Sequence, residues 1–150
     1  MTQPSPLQTL IELAQDEVDA AAQKLGRAQR ERTEVEKQLD ALVTYRGEYH
    51  TRFNEAARQG MDAGSVRNFQ AFITTLDQAI DQQQRLLTQA TARVEAAKPE
   101  WQRSKQKLGS FEVLQSRQDE VAARKEARRE QRDTDEYSAR IMRMRAAQHL

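Results

Sequence analysis

The sequence contains no cysteine. That excludes disulfides and thiolate metal sites, and it fits a reducing compartment. Glycine and proline are scarce, with 5 and 3 residues among 150. Few positions therefore break a helix or demand a turn. Only 37% of residues are hydrophobic, so the chain suits a thin apolar seam between helices rather than a thick, multilayered core. No run approaches the roughly 18 apolar residues that a membrane-spanning helix needs, so no integral membrane segment is expected. The first residues, MTQPSPLQTLIELAQDE, lack a basic region and a continuous apolar stretch, and do not read as a signal peptide. Charge of one sign is also missing. The formal net charge is +1, which gives no electrostatic ground for nucleic-acid binding.

The chemistry of catalysis is equally thin. The two histidines, His50 and His149, fall on different segments, with too few companions for a zinc site. GMDAG matches neither the dinucleotide-binding nor the P-loop pattern. The many carboxylates sit in no pattern that implies a cleft, and they read as solvated helix surface. A bare helical hairpin has little of the concavity that active sites require. The expectation is a non-enzyme with no catalytic residue, cofactor or metal.

What is present is helix-forming sequence. Leu, Ala, Gln, Glu and Arg dominate, and 31% of residues are charged, a composition typical of long helices or coiled coils. A first helix is predicted over 7–57, after a tail at 1–6. Ser5 and Pro6 supply an N-cap and an N1 proline. Acidic Glu12, Asp16 and Glu17 lie near the positive helix end, where they are expected to be favourable. Leu7, Leu10, Ala14, Val18, Ala21, Leu25 and Ala28 recur at spacings of three and four. The stripe resumes at Val35, Leu39, Leu42, Tyr45, Tyr49 and Phe53. Double steps of four near Ala14 and Tyr49 shift its phase. Arg32 occupies a seam position, either reaching out to water or marking a register choice.

RQGMDAGS, residues 58–65, holds Gly60 and Gly64 and reads as a reversal, with Ser65 available to cap the next helix. A loop this short favours two helices folded back antiparallel. The second helix is predicted over 66–141, before a flexible tail at 142–150. Its stripe runs from Phe69, Ile73, Leu76 and Ile80 through Gln83, Leu87, Ala90, Val94 and Ala97. It continues to Trp101, Ser104, Leu108 and Phe111 at unchanged spacing across Pro99. That continuity predicts a kink rather than a domain boundary. The second helix outruns the first, and the overhang lacks a clear partner stripe, so it is expected to fray until something binds it.

Phe72, Leu76, Ala79 and Gln83 form a row of their own, rotated slightly from the seam. Gln38, Leu42, Tyr45 and Tyr49 make a similar row on the first helix, and antiparallel pairing brings the two roughly level. Two readings stay open: a partly exposed docking patch, or a seam that simply widens where its phase shifts. In the tail, MRMRAAQHL carries Arg143 and Arg145 without acids, and Arg140 precedes it. Docking of this segment on a protein partner, an ordinary solvated terminus and a phosphate contact are the readings it allows.

LIELAQDEVDAAAQKLG, QLDALVTYRGEYHTRF, NFQAFITTLDQAIDQQ, EWQRSKQKLGSFEVLQSRQ and DTDEYSAR occur in this order along nearly the whole chain. Together they resemble the FliJ family of the flagellar type III export apparatus. Tyr137 and Ser138 depart from the family's usual aliphatic or phenylalanine and alanine. The resemblance implies an all-α fold, a long two-helix antiparallel coiled-coil hairpin similar to the central stalk of rotary ATPases. It implies binding to the hexameric export ATPase, to the cytoplasmic domain of the export gate protein and to export chaperones. It also implies a cytoplasmic protein peripherally associated with the cytoplasmic face of the cell membrane. Gate binding carries over to Gln38, Leu42, Tyr45, Tyr49, Phe72, Leu76, Ala79 and Gln83. ATPase binding carries over to Leu7, Leu10, Ile11, Leu13, Val121, Glu136 and Tyr137. The alternatives are a homodimeric coiled-coil scaffold, a substrate chaperone of a related type III secretion system, and a nucleic-acid module using Arg140 to Arg145.

Overall fold

The computed structural model describes residue 3 and residues 5–149. Met1, Thr2 and Pro4 of the expected N-terminal tail, and Leu150 of the C-terminal one, lie outside the described residues. Two helices, α1 (Pro6–Gln59) and α2 (Ala63–Gln148), form a helical hairpin, and no strand occurs among the described residues. The all-α hairpin expected from the apolar stripes is thus the fold.

α1 starts where Ser5 and Pro6 place it. Ser5 Oγ accepts a hydrogen bond from the Gln8 amide at 3.1 Å, and the Ser5 carbonyl accepts from the Thr9 amide. These bonds satisfy amide groups that a helix start otherwise leaves unpaired. The acidic residues contribute less than the sequence suggested. The first turn of α1 holds none of them, and the field of a helix end fades within that turn.

The reversal spans only Gly60, Met61 and Asp62. Gly60 has φ of +97° and donates its amide to the Ala57 carbonyl. A side chain is strained at that φ, so glycine is the residue that ends α1 cleanly. The cap of α2 is Asp62 rather than Ser65. The Asp62 carboxylate accepts hydrogen bonds from Ser65, which holds its pKa below the ordinary carboxylate range. Ser65 therefore sits inside the first turn as the partner of the cap.

The chain divides into two compact units. One comprises residues 16–105. Its core is Leu25, Ala28, Val94 and Ala97, with Trp101 packed against them. Val94 is 1% exposed, and burying one such side chain contributes roughly 1.5–3 kcal/mol. Antiparallel pairing is explicit here: Glu31 pairs with Arg93, Gln38 with Gln83 and Arg46 with Asp77. As the α1 number rises, the α2 number falls. Arg32 leaves the seam by pairing with Glu36 on its own helix at 3.0 Å. α2 runs without interruption through Pro99.

The other unit comprises residues 1–15 and 106–150. Ala14 is its buried residue, and Leu7, Ile11, Leu108 and Phe111 are half-buried. Gln115 Nε2 donates to Gln8 Oε1 at 2.9 Å. Beyond Gln115 every described residue is exposed except Ala139 and Ile141, yet α2 stays helical to Gln148. α2 extends past 141 to Gln148, where SARIMRMRAAQ is built almost wholly of strong helix formers.

Candidate docking surface

Five aromatic rings, three on α1 and two on α2, make one connected cluster in the 16–105 unit. Tyr49 lies 4.6 Å from Phe72 and 5.1 Å from Phe69, between ring centroids. Tyr45 meets Phe72 edge-on at 6.2 Å, the interplanar angle being 85°. Phe53 extends the cluster to Phe69 at 5.5 Å. These separations and tilts are those that aromatic quadrupoles favour. The rings lie four residues apart on α1 and three apart on α2, and a hairpin of two helices cannot cover them all. Tyr45 remains 40% exposed and Phe72 37%, whereas Tyr49, Phe53 and Phe69 are half-buried.

The eight residues of the two rows therefore separate by environment. Leu76 is only 6% exposed and belongs to the core. Leu42 and Ala79 are half-buried. Gln83 donates its Nε2–H to Gln38 Oε1 at 2.9 Å and approaches the Val35 carbonyl at 3.4 Å. This tie joins the helices through neutral amides. Leu76 fills the seam, while Tyr45 and Phe72 keep part of their rings in water. Leu86, 41% exposed, follows Gln83 by three positions and continues the α2 row. Sequence reasoning missed it, although the spacing was readable, because Leu87 beside it satisfied the seam.

The second set falls in the other unit. Leu7 and Ile11 are half-buried, and Leu10 and Leu13 are exposed. Val121, Glu136 and Tyr137 are exposed on α2. A helix rises about 1.5 Å per residue, so Tyr137 lies roughly 30 Å along α2 from Gln115. The α1 residues of this set and Tyr137 are thus not one contiguous patch. A shallow hollow of about 370 Å³ on α2 is lined by Leu114, Arg117, Gln118, Val121, Ala122 and Lys125.

Among the described residues no group of three or more His, Asp or Glu side chains is placed to hold a metal ion. No described helix is long and apolar enough to cross a membrane. The electrostatic shifts at Asp62 and Arg46 are structural. Asp62 is the helix cap, and the Arg46 guanidinium is raised above its ordinary value by its hydrogen bond to Asp77.

The family profile of the flagellar FliJ protein matches residues 3–147. The chain belongs to the flagellar FliJ family. It is 39% identical to the flagellar FliJ protein of Salmonella typhi over 140 residues, 93% of this chain and 95% of that one. It is 36% identical to the flagellar FliJ protein of Escherichia coli K12, with the same coverage of both chains. A solved structure described as a YscO homolog, CT670 of Chlamydia trachomatis, aligns with a TM-score of 0.47 at 17% identity, over 95% of this chain and 97% of that one. Membership makes this FliJ-family chain a component of flagellum biogenesis and protein export.

Proposed function

We propose that the chain is a non-enzymatic coupling stalk of the flagellar export machinery. On this reading the end bearing Leu7, Leu10, Ile11, Leu13, Val121, Glu136 and Tyr137 engages the hexameric export ATPase and promotes assembly of its ring. The rows Gln38, Leu42, Tyr45, Tyr49 and Phe72, Leu76, Ala79, Gln83 engage the cytoplasmic domain of the export gate protein. Export chaperones are handled by the same molecule. The chain acts at the cytoplasmic face of the membrane, held there by its partners.

The observation that carries this reading is the exposed pair Tyr45 and Phe72, in ring contact across two helices. Water disfavours such a pair, and an aromatic anchor set in a largely polar surface is the usual centre of a protein interface. The ATPase-side set offers exposed Leu10, Leu13 and Val121 in the other unit. Helical pairing suits coupling because backbone hydrogen bonds hold spacing along each helix.

The test is ring assembly and hydrolysis by the export ATPase with and without this chain, repeated after removal of the residues beyond Val121. Stimulation that requires those residues supports the reading. Equal rates with and without the chain contradict it.

A further inference from the structure

Leu86 is a large apolar side chain that the hairpin leaves 41% exposed, as open as Tyr45 and more so than Phe72. It is not isolated. On α2, Phe72, Leu76, Ala79, Gln83 and Leu86 follow one another at steps of four, three, four and three. Residues at such steps share one helix face. The row that begins at Phe72 therefore does not stop at Gln83; its next member points the same way and is greasy.

The surroundings of Leu86 specify what covers it. The positions three and four residues away are Gln82, Gln83, Gln89 and Ala90, none of them charged. Around Phe72 the corresponding positions are Asn68, Phe69, Thr75 and Leu76, again without charge. In a chain with 31% charged residues, this face of α2 is uncharged for more than five turns. Arg85 projects from a different side and is already paired with Asp81 at 2.7 Å. A lipid headgroup or a nucleic-acid phosphate needs unpaired cations, and these positions of α2 offer none. An uncharged protein cleft, apolar at its centre and edged by hydrogen-bonding groups, matches a leucine ringed by glutamine amides.

We infer that Leu86 is a contact residue of the gate-facing surface, extending that surface by one helical turn beyond Gln83, and that its occupant is a neutral, aliphatic-lined cleft of the gate protein's cytoplasmic domain. This inference rests on the proposed function. It also divides labour along the row. Phe72 and Leu86 touch the partner, whereas Leu76 and Gln83 position them, the first from the core and the second through Gln38.

The experiment measures binding of the full chain to the purified gate domain by calorimetry, for wild type, Leu86→Ala, Leu86→Gln and Phe72→Ala, with helicity read by circular dichroism. Leu86→Ala is expected to weaken binding about tenfold with helicity retained, as for a peripheral apolar contact. Leu86→Gln should do the same, and the deficit should be unchanged between low and high salt because no charge is involved. If Phe72→Ala weakens binding and both Leu86 variants bind like wild type, this inference is overturned and the gate-binding reading stands. If all variants bind like wild type, or wild type does not bind, both are overturned. Sedimentation of the chain alone separates a different occupant: a dimer that Leu86→Ala dissolves, with gate affinity intact, assigns the face to a second copy and overturns the inference.

Discussion

Gln83 on α2 donates its side-chain amide to Gln38 Oε1 on α1 at 2.9 Å, a neutral hydrogen bond that ties the two helices together. Gln38 lies two turns along α1 from Tyr45 and Gln83 three turns along α2 from Phe72, in the rows that the family resemblance assigns to the export gate. A polar layer between paired helices favours one pairing of them at some cost in stability. Gln83→Leu is therefore expected to raise the thermal midpoint, since it adds apolar burial and leaves Gln38 free to bond water. Thermal melts followed by circular dichroism check this, and a lowered midpoint would assign Gln83 a net stabilising role instead.

Leu76 and Phe72 stand one turn apart and should respond differently. Leu76 is buried at 6% exposure, and Leu76→Ala is expected to lower stability by about 2–4 kcal/mol. Phe72 keeps more than a third of its surface in water, so Phe72→Ala should cost about 1 kcal/mol and leave helicity in place. Urea titration of both variants measures the contrast. Equal losses would mean that the two residues share one environment.

The turn yields a matched pair of glycine substitutions. Gly60 has φ of +97°, and Gly60→Ala is expected to cost about 1–2 kcal/mol. Gly109 lies within α2, and a Cβ there meets nothing within 4 Å. Gly109→Ala should stabilise by up to about 1 kcal/mol, the usual penalty of glycine inside a helix. Chemical denaturation of the two variants gives opposite signs on this account.

Acid should loosen the turn through Asp62. Hydrogen bonding from Ser65 lowers its folded-state pKa. A lowered carboxylate pKa contributes stability that is present above the unfolded value of about 4 and is lost as pH falls through the folded value. Asp62→Ala removes that contribution. The midpoint difference between wild type and Asp62→Ala should be constant above about pH 5 and shrink as pH falls below the unfolded value. A difference independent of pH down to strong acid would show that the carboxylate is not the capping group.

Much of this was readable from residue spacing. Ala14, Leu25, Ala28, Leu76, Ala90, Val94 and Ala97, the buried apolar residues, all stand on the two stripes. A period of three and four residues is a direct record of which face meets the partner helix. The glycines marked the reversal for a similarly local reason. What spacing does not record is depth. Leu76 sits on both the seam and the rotated row, and only packing decides that it is buried while Phe72 is not. Ser65 looked like a cap because serine is a good one, but Asp62, three residues earlier, caps the same helix and takes Ser65 as its partner. Leu86 went unnoticed because adjacent leucines leave the choice of seam residue to Leu87. The separation of Leu10 from Tyr137 was hidden too, because a set of candidate residues carries no distance along α2.

The central claim is that one chain serves two partners at once. The residues offered to the ATPase lie in one compact unit and those offered to the gate in the other. The most direct measurement is sedimentation of the chain mixed with the export ATPase and the gate protein's cytoplasmic domain. The account predicts a ternary complex that contains all three, with Phe72→Ala releasing the gate domain alone and Leu10→Ala weakening the ATPase alone. Mutual displacement of the two partners, so that no ternary species forms at saturating concentrations, would contradict it.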